Sequence, residues 1–428
     1  MRIVMSGILV LLLCSFGINA QNQFYNILDF GAMPDGKTLS TNAIQKTINE
    51  AFEKGGGTVY FPPGEFLSGS IELKSKVSIR FESGSKLIGS TDLSHYSGEN
   101  KSFITGTDLS DISISGKGVI DGNGPAFWDE NFKALERPEP WILLENVENL
   151  SFEGLKLINS PSHVIRLENS KDATFHDLTI INDFRGPNTD GIDIVDSEYV
   201  RISDSFISTG DDAICLKTQR KPVENVVVTN CILESDDAAI KFGTGSKKAV
   251  RFCNFSNITI RKTRYGISLF MLDGGIYEYN SFSNILIEGG SRHEHEYPIF
   301  IDIDKKTPKR SYGIVRYNTF SNIQIVSGGK LLISGHEQSP IERLSFKNVQ
   351  FYLTDEQDFS KAKKPRGNKN YPKLETSIDL SRETATMVFG FMDQLEMDNV
   401  RVINKNENSK RKEMSMTQVE SVSRINSD

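Results

Sequence analysis

The chain has little of what many folds depend on. Its 428 residues include four cysteines, two tryptophans and six scattered histidines. With Cys14 inside the first twenty residues, only Cys215, Cys231 and Cys253 remain, an odd and sparse set that excludes a disulfide scaffold and matches no zinc spacing. These three are expected as small buried apolar groups. Beyond residue 20 no apolar run approaches the length that spans a bilayer. Positive charge is also short: 49 Lys and Arg against 56 Asp and Glu give a net charge of −7, which argues against a nucleic-acid partner. An acidic substrate is not excluded, because local basic groups decide that. Helical periodicity is missing almost everywhere, as are the leucine ladder of a leucine-rich solenoid and the Asp-Trp signature of a propeller.

The first twenty residues read as an export signal. Arg2 supplies the positive start, "ILVLLLCSFGI" the apolar core, and "INA" a small-residue cleavage site before Gln21. Leu13 fits poorly before a lipid-bearing cysteine, so a soluble exported protein is expected ahead of a lipid-anchored one. Residues 21–403 then form one domain, with an N-terminal cap over about 21–70 and an irregular insertion over about 354–386. The polar segment 404–428 is expected to be poorly ordered.

What the chain does have is a repeat. "FEGLKLIN", "FHDLTIIN", "ISDSFIST", "VTNCILES", "FSNITIRK", "FSNILIEG", "FSNIQIVS" and "FKNVQFYL" share one pattern, marked by Gly154, Asp177, Asp204, Asn230, Asn257, Asn284, Asn322 and Asn348. Their spacings are 23, 27, 26, 27, 27, 38 and 26, so one coil takes 26 residues or so, with an insertion near "SRHEHEYPIFIDIDKKTPKR". Short alternating apolar runs rich in β-branched residues predict strands, several per coil. An all-β right-handed parallel β-helix buries its inward face by stacking such coils. The exception is "STNAIQKTINEAFEKGGG", whose Ala43, Ile44, Ile48 and Phe52 lie at helical spacing, and which predicts a short helix capping the open end.

The repeat gives "STGDDAICLK" its meaning. Aligning "TDGIDIV", "DDAICLK", "DAAIKFG" and "YGISLFM" on Ile192, Ile214, Ile240 and Ile267 stacks Asp190 on Asp212, followed by Ala238 and Tyr265. Asp211 leaves the ladder in another direction. Adjacent coils are about 4.8 Å apart, so two stacked carboxylates repel and a mere turn gains nothing from them. Three clustered carboxylates suit glycosidic hydrolysis, one protonated as general acid and others deprotonating a water. They also suit calcium, and a solvated acidic patch remains the bland alternative.

"PNTDGIDI" followed by "STGDDAI" resembles the paired signature of glycoside hydrolase family 28, the polygalacturonase-like enzymes. "ILDFGAMPDGKTLSTNAIQKTI", "GGGTVYFPPGEF", "ISGKGVIDGNGPAFW" and "INSPSHVIRLENSKDATFHDLTI" extend the resemblance over nearly the whole chain in the family's order. The resemblance implies an exported hydrolase acting on pectin or another acidic polysaccharide; no cofactor, no metal and a monomer are expected. It implies Asp211 as the acid, Asp190 and Asp212 as the water-activating pair of an inverting reaction, and Asn188 and Thr189 as the turn that aims Asp190.

Departures from the family pattern are equally specific. Ala238 stands where the family carries a histidine, and Ser268 and Phe270 stand where it carries an Arg and Lys that bind a uronate carboxylate. Lys241 and Lys217, in the alternation class of Asp193, are candidates to meet an anionic sugar or else solvated lysines. Arg185, Arg264 and Tyr265 are further candidates for the cleft wall. Two other readings stay open: a calcium-dependent polysaccharide lyase, and a carbohydrate-binding β-helix without catalysis.

Overall fold

Asn and Asp tolerate the left-handed backbone better than other side-chain-bearing residues, and the repeat uses them for that. All eight marker residues have φ between 51° and 76°. Their side chains then bond from coil to coil: the Asn230 amide donates to Asp204 at 3.2 Å, Asn257 to Asn230 at 3.4 Å, Asn284 to Asn257 at 3.2 Å, Asn322 to Asn284 at 3.0 Å and Asn348 to Asn322 at 2.9 Å. Asn399, also left-handed, adds a further rung to Asn348 at 3.0 Å. The ladder pins each coil to the next at one corner.

The computed structural model describes residues 23–365, 379–404, 409 and 411–425. The expected export signal, 1–20, lies outside the described residues. Each described strand pairs in parallel with its counterpart one coil on, giving a parallel β-helix. Ile192, Ile214, Ile240, Ile267 and Ile299 pair in sequence and are all fully buried, so the predicted inward ladder is present and one rung longer. Phe255, Phe282, Phe320 and Phe346 form a second inward column, with ring centroids 5.1, 4.9 and 4.9 Å apart. Cys215, Cys231 and Cys253 are free and buried.

The helix Thr41–Glu53 closes the first end with Ile44, Thr47, Ile48 and Ala51 buried. Phe52, one of the apolar residues at helical spacing, is 48% exposed, because Ala51 takes the inward position. Gly55, at φ 92°, ends the helix by donating its N–H to the Phe52 carbonyl.

Two expectations are corrected. "YPIFIDI" is no insertion: Tyr297–Ile303 is a regular strand in register with Tyr265–Met271, and the extra length sits in the loops on either side. The C-terminal segment is not wholly irregular either. Met414–Ile425 pairs along Met387–Asn404, because the last coil offers an unpaired strand edge that a further strand satisfies. The described flanks of the segment 354–386 include a 3-10 turn, Leu380–Arg382, and lie across the outward face of the later coils. Among the described residues no helix is long and apolar enough to cross a membrane.

Candidate active site

The aspartates lie just ahead of the strands Ile192–Val195 and Ile214–Thr218. The Gly191 N–H donates to the Asp212 carbonyl at 2.8 Å, and that of Ala213 to Ala238 at 2.8 Å, so the register extends back through the turn and sets Asp190 against Asp212. Carboxylate oxygens of Asp190 and Asp212 lie within 4.8 Å of each other, as do those of Asp211, Asp212 and Asp237. Asp190 and Asp212 are buried, and Asp211 is half-buried beside them.

Local chemistry aims them. The Thr189 hydroxyl donates to the Gly186 carbonyl at 3.1 Å and accepts from the Gly210 N–H at 3.0 Å, tying the turn before Asp190 to the turn before Asp211. A Cβ on Gly210 would come 2.5 Å from the Gly186 carbonyl oxygen, which is why glycine precedes the aspartate pair. Asp211 Oδ1 accepts from the Asp212 N–H at 3.0 Å, and its Oδ2 from the Asn188 amide at 3.3 Å. Asn188 is itself oriented by buried Arg137, which donates to Asn188 Oδ1 at 3.3 Å and to the carbonyls of Pro161 and Pro187 at 2.9 and 2.6 Å. No sequence pattern points to Arg137, which lies 51 positions from Asn188 and outside the repeat.

The lysines bind the aspartates. Lys217 Nζ is 2.8 Å from Asp193 and 3.2 Å from Asp190, and Lys241 Nζ is 2.8 Å from Asp212 and 3.4 Å from Asp237. Neither stands as a solvated lysine free to meet a sugar carboxylate, because strand alternation points both at buried carboxylates. His163, from the preceding coil, sits with Nε2 3.7 Å from Asp190. Its Nδ1 and Asp190 Oδ1 are buried without a protein hydrogen-bond partner.

Charge separates the three carboxyls. Burial raises Asp211 well above the usual carboxylate range, and the charges of Asp190, Asp212 and Asp237 push the same way. Burial also lifts Asp212, to about 7, against the pull of Lys241. At Asp190 burial is outweighed by Lys217, His163 and Lys241, which hold its carboxyl well below the usual range. Burial and like charge thus favour the protonated form of Asp211, and the flanking cations the charged form of Asp190.

The remaining candidates divide. Arg264 is half-exposed, stacked over Tyr265 at 4.9 Å and 3.5 Å from Asp237, with Nε unpartnered in the protein. Arg185 is exposed and spends its guanidinium on Asp183 at 2.9 Å while lying over the Phe132 ring. Tyr265 is only 2% exposed, so it lies beneath the wall rather than on it. Ala238, Ser268 and Phe270 are fully buried, so no group at these positions meets a ligand. Trp141 is buried against Phe103, and the Trp128 indole donates to the Pro161 carbonyl, so both serve packing. His293 and His295 are held by the fold, the first 3.3 Å from Asp236 and the second against Phe359.

Among the described residues Asp190, Asp212 and Cys215 lie close enough to share a cation, but Lys217 already meets the first carboxylate and Lys241 the second; two further sets are Asp190 and Asp193 with His163, and Asp211 and Asp212 with Asp237. In each a lysine ammonium already lies between the oxygens, which fits a divalent ion poorly.

The profile of Glycosyl hydrolases family 28 matches residues 56–361. A probable polygalacturonase of Vitis vinifera is 31% identical over 215 residues, 45% of this chain and 44% of that protein, so the match spans less than half of its length. An exopolygalacturonase of Zea mays is 28% identical over 65% of this chain and 69% of that protein. Among solved structures, a family 28 exopolygalacturonase of Yersinia enterocolitica superposes with a TM-score of 0.73 at 20% identity, covering 94% of this chain and 78% of that one. The exopolygalacturonase of Thermotoga maritima does so with a TM-score of 0.68 at 21% identity, over 78% and 88%.

Proposed function

The chain belongs to Glycosyl hydrolases family 28 and is an O-glycosyl hydrolase, and from that premise we propose that it hydrolyses pectin or a related acidic polysaccharide with inversion. Asp211 is the general acid. Asp190 and Asp212 together activate the water. The observation that carries this reading is the meeting of the three carboxyls, Asp212 lying within 4.8 Å of both Asp190 and Asp211, with Lys217 paired to Asp190 and Lys241 to Asp212 while like charges crowd Asp211.

Each step follows from the site. A water donates to the unpartnered Asp190 Oδ1 and to Asp212, which take its proton as its oxygen attacks the anomeric carbon. The bond to the leaving oxygen breaks as Asp211 delivers its proton there, leaving one new hydroxyl on each fragment. Lys217 and Lys241 compensate the buried charge during this exchange. With the usual basic pair replaced and Lys217 and Lys241 bonded to the aspartates, Arg264, half-exposed and 3.5 Å from Asp237, meets the sugar carboxylate. Asn188 borders the same cleft. Export of the protein is part of this proposal and rests on the apolar N-terminal run.

Incubation with polygalacturonate, rhamnogalacturonan and xylogalacturonan tests it. Reducing ends should form, at a rate a chelator does not change, with inverted product configuration by NMR. Cleavage of unmodified polygalacturonate should be weak beside that of a branched or modified polymer. An unsaturated, ultraviolet-absorbing product would indicate a lyase, and glycan binding with no product a binding module. Either outcome refutes the hydrolase assignment.

A further inference from the structure

One outward line of residues runs past the acids and changes character there. Register places Leu143, Arg166 and Asp193 on this line, then Cys215, Lys241 and Ser268, then Phe300 and Leu332, and from Asp193 onward every one of them is buried. Leu143 and Arg166 are half-exposed, as an open cleft floor requires. Phe300 and Leu332 also point outward, yet are 1% and 3% exposed.

What buries them is a second apolar core outside the solenoid. Phe359, Ala362 and Leu380, from the flanks of the insertion, pack on the outward residues of the later coils. Tyr265 and Tyr297 stack at 5.5 Å, and the Phe359 ring meets Tyr297 edge-on at 5.7 Å. The cover is fastened at both flanks. Lys364 lies 3.1 Å from Asp302 and 2.8 Å from Asp304, and buried Lys330 donates to the carbonyls of Ser381 at 2.5 Å and Glu383 at 2.8 Å. Burying aromatic groups against aliphatic ones in this way makes the cover a packed structure.

We propose that the cleft is a dead end and that the enzyme therefore acts on chain ends, releasing a short product of fixed length. The inference rests on the hydrolase assignment above. Tyr265 lies two coils beyond Asp212, about 10 Å at the ordinary inter-strand spacing. A polymer bound across the acids reaches this wall after a short stub. An internal segment would have to continue through the volume that Phe359 and its neighbours fill. On the other side of the acids the line stays open, past Arg166 and Leu143, and there the body of the polymer lies.

The full chain, with the three pectic polymers above, decides this when viscosity, reducing ends and product size are followed together. Reducing ends should accumulate as one short product from the earliest time, while viscosity stays near its starting value until most of the polymer is consumed. A steep early fall in viscosity with a spread of oligomer lengths would show an open cleft and overturn the chain-end inference, leaving hydrolysis intact. No reducing ends from any polymer or its oligomers would overturn the hydrolase assignment, and the chain-end inference with it.

Discussion

The coils before the acids and the coils after them share one backbone plan but present opposite outward faces. Before the acids the outward line carries Leu143 and Arg166, half-exposed, with Arg166 paired to its own neighbour Glu168 at 3.1 Å. After them it carries Phe300, Leu332 and Val388, all buried beneath the insertion. The comparison teaches that a solenoid fixes where a side chain points and leaves open whether anything covers it. In the chain-end proposal the open stretch receives the polymer and the covered stretch ends it. The acids stand at the boundary, where the buried charges are matched by Lys217 and Lys241.

Changing the boundary should produce the largest effect. Asp211→Asn keeps the shape and removes the transferable proton, so turnover on the natural glycan should fall about a hundredfold to ten-thousandfold, with little change in KM. The loss should shrink on an activated aryl glycoside whose leaving group needs no proton, whereas Asp190→Asn and Asp212→Asn should stay inactive on both. Near wild-type turnover in all three would return the pair to an acidic turn.

Changing the covered side should cost stability more than chemistry. Phe359→Ala leaves a cavity over Tyr297 and should lower unfolding free energy by about 3–5 kcal/mol, read from denaturant midpoints. Below its melting temperature the variant should retain turnover while its products spread in length. A variant as stable as the wild type would mean that the cover is not a packed core.

A smaller effect is expected at Lys241, between the two regions. Lys241 pulls the Asp212 carboxyl down against burial, and that group stands at about 7. In Lys241→Met this pull is lost, so Asp212 ionises only at higher pH. The acidic limb of the kcat profile should then move to higher pH, and turnover near pH 6 should fall by about tenfold or more. A limb that moves to lower pH or stays in place would remove Asp212 from water activation.

The open side should respond least. Arg166→Ala breaks an ion pair on a half-exposed surface and should change stability by less than about 0.5 kcal/mol. Its effect should appear as a KM increase of no more than about fivefold, larger for polymer than for short oligomers. Equal effects on both would remove Arg166 from the path of the polymer.

Much of this was legible in the chain. An isoleucine recurs once per coil in the same short motif, and strand pairing turns that recurrence into vertical alignment, so the stacking of Asp190 on Asp212 could be read by aligning the motifs. The side of the strand on which Lys241 lies was legible in the same way. Its bond to Asp212 was not, because alternation gives direction and says nothing of depth. Arg137 was invisible for another reason: it reaches Asn188 from an irregular segment with no counterpart in the next coil.

By itself, then, the sequence determined the solenoid, its left-handed Asn corners, its inward isoleucines and the meeting of three aspartates, all consequences of local periodicity propagated through hydrogen-bonded register. The tertiary structure alone decided which outward residues meet solvent. Burial there depends on segments distant in the chain, as when Lys364 reaches Asp302 and Leu380 settles over the later coils. It decided that Tyr265 lies under the wall, that Met414–Ile425 becomes a last strand, and that the acids keep different protons. The physical reason is common to all three. Desolvation and unpaired strand edges are properties of an assembled surface, and no single stretch of the chain carries them.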